Sequence, residues 1–450
     1  MFIRAIRKSE QNDDLPPIPP IPTQVRTNEE FIPMPKTGQQ RHVDHVLNEY
    51  ADQYGKVRGL SRREFFQTAS GMAAAFLAMN KVYGMKFFDV EEVEAADEAA
   101  AVEAAARMGG QFIFDIQTHH LRSDTLIGVT DPNLKMLADL LGGLRAGQVP
   151  GSGLKDLNKA NFLREVFMES ETSMVILSGN PAEKDELNAH PVDQMVRSRD
   201  EANMKLGAVR MLAHGLIAPN LGVSNLDDME RQVSQFKISA WKGYTADGVG
   251  TPGGWFMDDE RVAYPVYEKS RRLGVKHICI HKGLQVLWFA DKYSRVNDLE
   301  KCALDWPDLN FVIYHSAFPY FSDLANIRRW KGYLTNIYGE LGSTFALNVV
   351  GAPEQCAHVL GQLVTYLGPD NVCWGTDSIY WGSPQWQIEA FRRFQIPEPI
   401  AKGYGYMQLT DEIKAKILGL NAAKVWGIDP AAKMREIAAA GSVTPERLVG

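Results

Sequence analysis

Side chains that can bind metals or carry protons follow a series of short apolar segments in this sequence. They are Gln117, His119, Lys242, His281, His315, Glu340 and Asp377. A single histidine that ends an apolar segment is usually a hydrogen-bonded core residue. Three histidines and an aspartate in equivalent places are hard to explain separately, because each would be a buried polar group that needs its own partner. The pattern therefore indicates one shared site with metal or acid–base chemistry.

The apolar segments are typical of strands that alternate with helices. Strands are expected at 112–117, 173–178, 208–214, 237–242, 277–281, 311–315, 334–340 and 372–377, with amphipathic helical segments between them. Eight such units over about 270 residues predict an α/β fold, a (β/α)8 TIM barrel with an irregular or helical N-terminal extension. A doubly wound open sheet is disfavoured, because no GxGxxG fingerprint follows the first strand. The strand ends of a barrel open on one face, where the side chains above are expected to converge.

Composition narrows the class of partner to a small molecule. The chain has 48 Lys and Arg against 55 Asp and Glu, a net charge of −7, and a pI of about 5.9. This balance gives no electrostatic basis for binding nucleic acid or an anionic membrane. No run approaches the ~20 apolar residues of an uninterrupted membrane span. Four cysteines in 450 residues exclude a disulfide scaffold.

The first 110 residues form two expected segments before the barrel. Residues 1–60 are a Pro-rich arm with a short helix, because DDLPPIPPIPTQ favours extended polyproline geometry. Residues 61–110 combine SRREFF, an apolar Gly- and Ala-rich stretch and an acidic Ala-rich linker, which together resemble a twin-arginine export signal. Periplasmic export is the expectation from this likeness, and a cytoplasmic protein with an amphipathic helix packed on the barrel is the alternative. The barrel is expected over 111–430 and a tail over 431–450.

Five segments together resemble the amidohydrolase-related family, which includes aminocarboxymuconate semialdehyde decarboxylase and resorcylate-type decarboxylases beside true hydrolases. They are FDIQTHH, VKHICIHKG, FVIYHSAF, VCWGTD and LTDEIKAKILGLNAAKVWG. The likeness covers about residues 111–428, and the export-like segment resembles a twin-arginine-bearing branch of the same family. Barrels of this family often associate through their outer helices, so the resemblance also implies a homodimer.

The resemblance implies one divalent metal ion, zinc or manganese, at the barrel mouth. Its implied ligands in this sequence are His119, His281, His315 and Asp377. The family's first histidine is replaced here by Gln117, which shares a strand face with His119 and can offer an amide oxygen. An amide oxygen binds zinc less well than an imidazole does, but it is an acceptable ligand for a harder ion such as manganese.

Several functions are compatible with this set of residues at the barrel mouth. The leading hypothesis is a hydrolase for a small carboxylated or cyclic substrate, with Asp377 as general acid and base and with His315 or His281 orienting the water. The alternatives are a non-oxidative decarboxylase with the same metal site and a metal-free barrel that acts as a binding or partner subunit. Substrate contacts are expected from Arg122, Lys242, Trp374 and Tyr380. Arg122 could equally lie on the surface, Lys242 could be a carbamylated metal bridge, and Trp374 could be a barrel-to-helix packing residue.

Overall fold

The computed structural model describes residues 17–23, 36–122, 126–149, 151–183 and 188–449. Eight parallel strands run in chain order and are hydrogen-bonded to their neighbours. They are β1 (Phe114–Thr118), β2 (Met174–Leu177), β3 (Met211–Leu216), β4 (Ala240–Tyr244), β5 (His277–His281), β6 (Asn310–Tyr314), β7 (Ile337–Glu340) and β8 (Val372–Cys373). The sheet closes on itself, because Ile116 N donates to Trp374 O (3.1 Å) and Asp377 N donates to Gln117 O (3.0 Å). The predicted (β/α)8 barrel is confirmed.

Helices surround the barrel and cover its strands. Those of the barrel are Pro132–Gln148, Lys159–Phe167, Val192–Leu206, Val223–Phe236, Tyr264–Leu273, Asp291–Ser294, Leu299–Asp305, Phe321–Trp330, Gly342–Gly351, Pro353–Gln362, Gln385–Arg393, Glu398–Tyr404, Asp411–Ala415, Asn421–Trp426, Pro430–Ala440 and Pro445–Val449. The strands are buried on both faces, which explains their nearly continuous apolar sequences. Their polar residues are concentrated near the carboxyl ends, where the barrel opens.

Three strand ends differ from the prediction by two residues or more, and two of these differences move side chains away from the mouth. Strand β3 continues to Leu216 and β4 to Tyr244. His214 and Lys242 therefore lie inside the barrel, and Tyr244 occupies the strand end that was assigned to Lys242. Strand β8 ends at Cys373, so Asp377 sits on the loop after it. Apolar periodicity does not fix these boundaries, because pairing with neighbouring strands decides where the ladder stops.

The N-terminal extension is helical and shares its core with the barrel. Its helices are Gly38–Tyr50, Arg62–Phe65, Ala69–Tyr83, Glu92–Ala96 and Glu98–Met108. Phe65 and Phe76 are fully buried in the cluster that contains Phe394. Arg62, within the export-like segment, makes a two-point ion pair with Asp52 (2.8 and 2.6 Å). Among the described residues, no helix is both long and apolar enough to cross a membrane.

Candidate functional site

Strand β1 and the loop after β8 meet at the barrel mouth through a buried carboxylate. Asp115 accepts hydrogen bonds from Gln117 N and Thr376 N, both at 3.1 Å. It also accepts a short hydrogen bond from the Thr376 hydroxyl. Burial raises the pKa of Asp115 to about 7, against the opposing effect of these donors. The arrangement fixes Gln117 beside the loop that carries Asp377.

Asp377 is held from two sides. Its Oδ1 lies 3.1 Å from Nε2 of His119, and its Oδ2 accepts a 2.5 Å hydrogen bond from the Ser343 hydroxyl. The same hydroxyl accepts a hydrogen bond from the Trp381 indole N–H (2.9 Å). Burial alone would raise the pKa of Asp377, but His315, His119 and Ser343 hold it well below its ordinary value. Asp377 is therefore a carboxylate with one oxygen fixed by Ser343 and the other facing His119.

His281 and His315 approach each other across the mouth. His281 Nδ1 lies 3.2 Å from His315 Nε2, and the amide nitrogen of Gln117 lies 3.4 Å from the same His315 atom. Burial lowers the pKa of His315 to about 3 and that of His281 well below its ordinary value. Both rings are neutral at physiological pH, which is the form that binds metal ions.

Two residues of the proposed metal site, one directly after β6 and one on the loop after β8, have left-handed backbone conformations. His315 has φ of 60° and Asp377 has φ of 57°. Such conformations cost energy in residues with a Cβ and cluster at functional sites. His315 N donates to Glu340 Oε2 (2.9 Å), which stabilises this turn. Burial raises the pKa of Glu340 well above its ordinary value.

Gly342 leaves room for the polar atoms of the site. A Cβ at this position, where φ is 40°, would lie 2.7 Å from His315 Nδ1 and 3.0 Å from both Gln117 Oε1 and Glu340 Oε1. These three atoms have no hydrogen-bond partner within the part of the chain that is described. Rotating the Gln117 amide by half a turn would direct its N–H toward Glu340 and its oxygen toward the histidines, since amide orientation is assigned from such networks.

A cavity of about 120 Å³ opens beside these groups. Gln117, His119, His281, His315, Ser343 and Asp377 line its floor. The rest of the lining is mainly apolar or aromatic (Leu121, Leu137, Leu140, Leu141, Leu144, Leu284, Val286, Leu287, Trp288, Phe289, Tyr244 and Tyr380), together with Ser178, Gly179, Asn180 and Asp247. Tyr380 stacks on His119 and Tyr244 stacks on His281, each with ring centroids 5.0 Å apart. Among the described lining residues there is no lysine or arginine. The cavity is thus an apolar chamber with its reactive groups on one side.

The donor set suits a divalent cation in chemistry and in ionisation state. It offers the imidazoles of His281 and His315, which burial keeps neutral, the imidazole of His119, one carboxylate, and an amide oxygen that has no hydrogen-bond partner among the described residues. The donor atoms of the His119–Asp377 pair are 3.1 Å apart and those of the His281–His315 pair are 3.2 Å apart, close to the roughly 3.4 Å expected around a tetrahedral ion with bonds of about 2.1 Å. Within the described ranges, the present side-chain positions place no three His, Cys, Asp or Glu groups around a point where a metal ion could bind. Small side-chain rotations are needed to bring both pairs onto a common ion.

Three of the four predicted substrate contacts, Arg122, Trp374 and Lys242, do not line this cavity. Arg122 donates to the carbonyl of Asn188 (2.5 Å) and lines a separate pocket at the rim. Trp374 is fully buried between Phe345 and Phe391, which is the barrel-to-helix packing alternative. Tyr380, in contrast, forms part of the cavity wall.

Lys242 lies below the cavity in the barrel interior. It is fully buried, and its ammonium has no hydrogen-bond partner in the described structure. The Nζ atom lies 3.6 Å from the centroid of the Tyr314 ring, a cation–π contact. Burial lowers the pKa of Lys242 to about 8. His214 shares this layer, with its Nε2 3.0 Å from the Tyr314 hydroxyl.

A family model described as amidohydrolase matches residues 176–428, more than half of the chain. The chain belongs to the amidohydrolase family. Of the residues at the mouth of this amidohydrolase, His281, His315, Glu340 and Asp377 fall within the matched range, whereas Gln117 and His119 precede it.

Solved structures with similar folds include several barrels of low sequence identity. An uncharacterized TIM-barrel protein from Bordetella bronchiseptica has a TM-score of 0.47 and 13% identity, covering 73% of this chain and 99% of that one. The 5-carboxyvanillate decarboxylase LigW from Sphingomonas paucimobilis has a TM-score of 0.43 and 16% identity over 71% and 100% of the two chains. The 2,6-dihydroxybenzoate decarboxylase from Rhizobium has a TM-score of 0.43 and 13% identity, covering 71% of this chain and 99% of that one. No protein of curated function matches the sequence.

Sequence reasoning missed several residues of this amidohydrolase site. Ser343 follows β7 in a helix with no motif to mark it, and Tyr244 was placed beyond the end of β4. Asp115 lies within a strand, where a buried carboxylate is rare. An acidic residue two positions before Gln117 on an otherwise apolar strand was the one available signal.

Proposed function

We propose that this amidohydrolase is a metal-dependent hydrolase for a small, neutral, cyclic or aromatic ester, lactone or amide. The observation that carries the proposal is the position of Asp377, whose carboxylate faces His119 on the floor of an apolar cavity. Hydrolysis needs a base next to an activated water, and Asp377 is the one group on this floor that is both ionised and oriented by a neighbour.

The residues that would hold a divalent cation are His119, His281, His315 and Asp377, with the amide oxygen of Gln117. When bound, the cation supplies an acidified water, with a pKa near 7, and polarises the carbonyl of the substrate. Asp377 accepts the proton of the attacking water and returns it to the leaving group. Ser343 keeps the second carboxylate oxygen in place during both transfers.

The cavity walls suit a neutral ring better than a carboxylated one. Tyr244, Trp288, Phe289 and Tyr380 provide aromatic surface, and most of the remaining wall is leucine. The described lining has no cationic side chain, while Asp247 and Asp377 contribute carboxyl groups. A substrate carboxylate would find no cationic side chain among these described residues to balance its charge. This favours hydrolysis over decarboxylation, which needs a carboxylated substrate.

Isotope incorporation distinguishes the two reactions. The purified chain is incubated in H₂¹⁸O with zinc or manganese and with dihydrocoumarin, phenyl acetate and 2,6-dihydroxybenzoate. We expect ¹⁸O in the carboxylate product of the lactone or ester, and a loss of roughly a hundredfold or more in kcat/KM for Asp377→Asn. Release of CO₂ from the benzoate without turnover of the other two would contradict hydrolysis and support the decarboxylase alternative.

A further inference from the structure

Two buried histidines lie side by side next to the site. His120 and His190 are 5% and 1% exposed, and their ring centroids are 4.1 Å apart. In the part of the chain described, the His190 ring has no hydrogen-bond partner, and the His120 ring has only the backbone of Leu121 beside it. Every imidazole has at least one N–H, and burying that donor without an acceptor destabilises the folded chain. A bound group that accepts these hydrogen bonds would remove this destabilisation.

His120 lines a second pocket at the barrel rim and does not line the central cavity. This rim pocket, of about 490 Å³, is lined by His120, Leu121, Arg122, Lys159, Arg197 and Glu201, with Lys155 and polar residues at its edge. Leu121 also lines the central cavity, so it forms a wall between the two. The lining has four cationic side chains and one carboxylate, in a chain whose net charge is −7. The local charge is thus opposite to that of the whole protein.

Helix termini add to the positive potential. The helices Lys159–Phe167 and Val192–Leu206 both begin beside this pocket and contribute Lys159 and Arg197 to its lining. The first turn of a helix presents free N–H groups and a partial positive charge.

We propose that the rim pocket binds an anionic group, a carboxylate or a phosphate, next to the active site. His120 donates a hydrogen bond from below, and Lys159 and Arg197 supply charge from the two helices. Lys159 is paired with Glu201 (2.5 Å) and Arg197 with Asp193 (2.6 Å). A bound anion would contact Lys159 and Arg197 while each of them keeps its ion pair with Glu201 or Asp193. A cation would meet four positive side chains and, within the described ranges, no set of three metal-binding groups.

Calorimetric titration of the full chain with inorganic phosphate, and separately with succinate, at constant ionic strength tests the site. We expect saturable binding of at least one of the two anions, with one site per chain. The double variant Lys159→Gln, Arg197→Gln should bind about tenfold more weakly or worse, because two charge-assisted contacts are lost. Preference for phosphate or for succinate identifies which anion the pocket favours, and either result supports it.

The control is Arg272→Gln, which is matched to Arg197→Gln. Both arginines are 70% exposed and both pair with an acidic residue four positions earlier on their helix. Binding by Arg272→Gln should stay within about twofold of the parent chain. In NMR spectra, phosphate or succinate should shift the ring nitrogen resonances of His120, identified by their absence in His120→Gln. No saturable binding of either anion, or equal weakening by Arg272→Gln, would overturn the proposal.

Discussion

His119 Nε2 lies 3.1 Å from Asp377 Oδ1, although 258 positions separate the two residues in the chain. Closure of the barrel between β1 and the loop after β8 brings them together. The carboxylate is held on its other side by Ser343 and, through that hydroxyl, by Trp381. The base of the proposed reaction is thus oriented by groups from three parts of the barrel mouth.

Replacing Ser343 by alanine should reduce activity by about tenfold without unfolding the chain. The change removes the hydrogen bond to Asp377 Oδ2, which lowers the pKa of that carboxyl. The pKa of Asp377 should rise, and the acidic limb of the profile of kcat/KM against pH should move to higher pH. Ser343→Thr, which keeps the hydroxyl, is the control and should retain the parent profile. An unchanged profile in Ser343→Ala would show that this contact does not act on the base.

Gly342→Ala should damage the site directly. The new methyl group would lie 2.7 Å from His315 Nδ1 and 3.0 Å from Gln117 Oε1, and φ of 40° is unfavourable for alanine. We expect zinc affinity, measured by competition with a chelating dye, to fall by about tenfold or more. Gly143→Ala is the matched control, because nothing lies within 4 Å of its Cβ position and it also lies in a helix. Equal zinc affinity in both variants would contradict the proposed role of His315.

Stability should decrease as the pH falls from 7.5 to 5.5 in the metal-free chain. Burial lowers the pKa of His120 and His315 to about 3 and that of His277 to about 4. The unfolded chain, with histidine pKa near 6.5, takes up protons in this range, whereas the folded chain does not. Each such histidine therefore costs about 1.4 kcal/mol of unfolding free energy over these two pH units.

Urea denaturation of His277→Gln measures this contribution away from the site. Between pH 7.5 and 5.5, the free energy of unfolding of this variant should fall by about 1.4 kcal/mol less than that of the parent chain. The control is His45→Gln, which removes a side chain that is 70% exposed and should leave the pH dependence of the unfolding free energy unchanged. A pH dependence in His277→Gln equal to that of the parent would contradict the assignment.

The N-terminal helices should stabilise the barrel. Phe76 is fully buried, packs against Phe88 with ring centroids 4.6 Å apart, and shares a core with Phe394 of the barrel. Phe76→Ala should lower the free energy of unfolding by about 3–5 kcal/mol. Phe256→Ala, which truncates a side chain that is 37% exposed, should cost much less. Equal costs would show that the extension is not part of the folding unit.

The sequence predicted the barrel and most of the groups at its mouth, because strand periodicity and the carboxyl-end rule are local signals. His119 lies beside Asp377 and His281 beside His315, in two adjacent pairs, and the role of these four residues as ligands of one metal ion stays a prediction. Lys242 was placed at the mouth because hydrophobic spacing does not show that β4 continues to Tyr244. Ser343 and the buried His120–His190 pair could not be found, since only tertiary contacts give these residues their surroundings.

Elemental analysis of the full-length chain after incubation with zinc or manganese and gel filtration tests the metal site most directly. The account predicts about one divalent ion per chain, loss of that ion in His281→Ala, and retention in the control His277→Gln, whose ring lies at the other end of β5. A parent chain that takes up no ion, or a His281→Ala variant that retains it, would contradict the claim that these imidazoles bind a common cation.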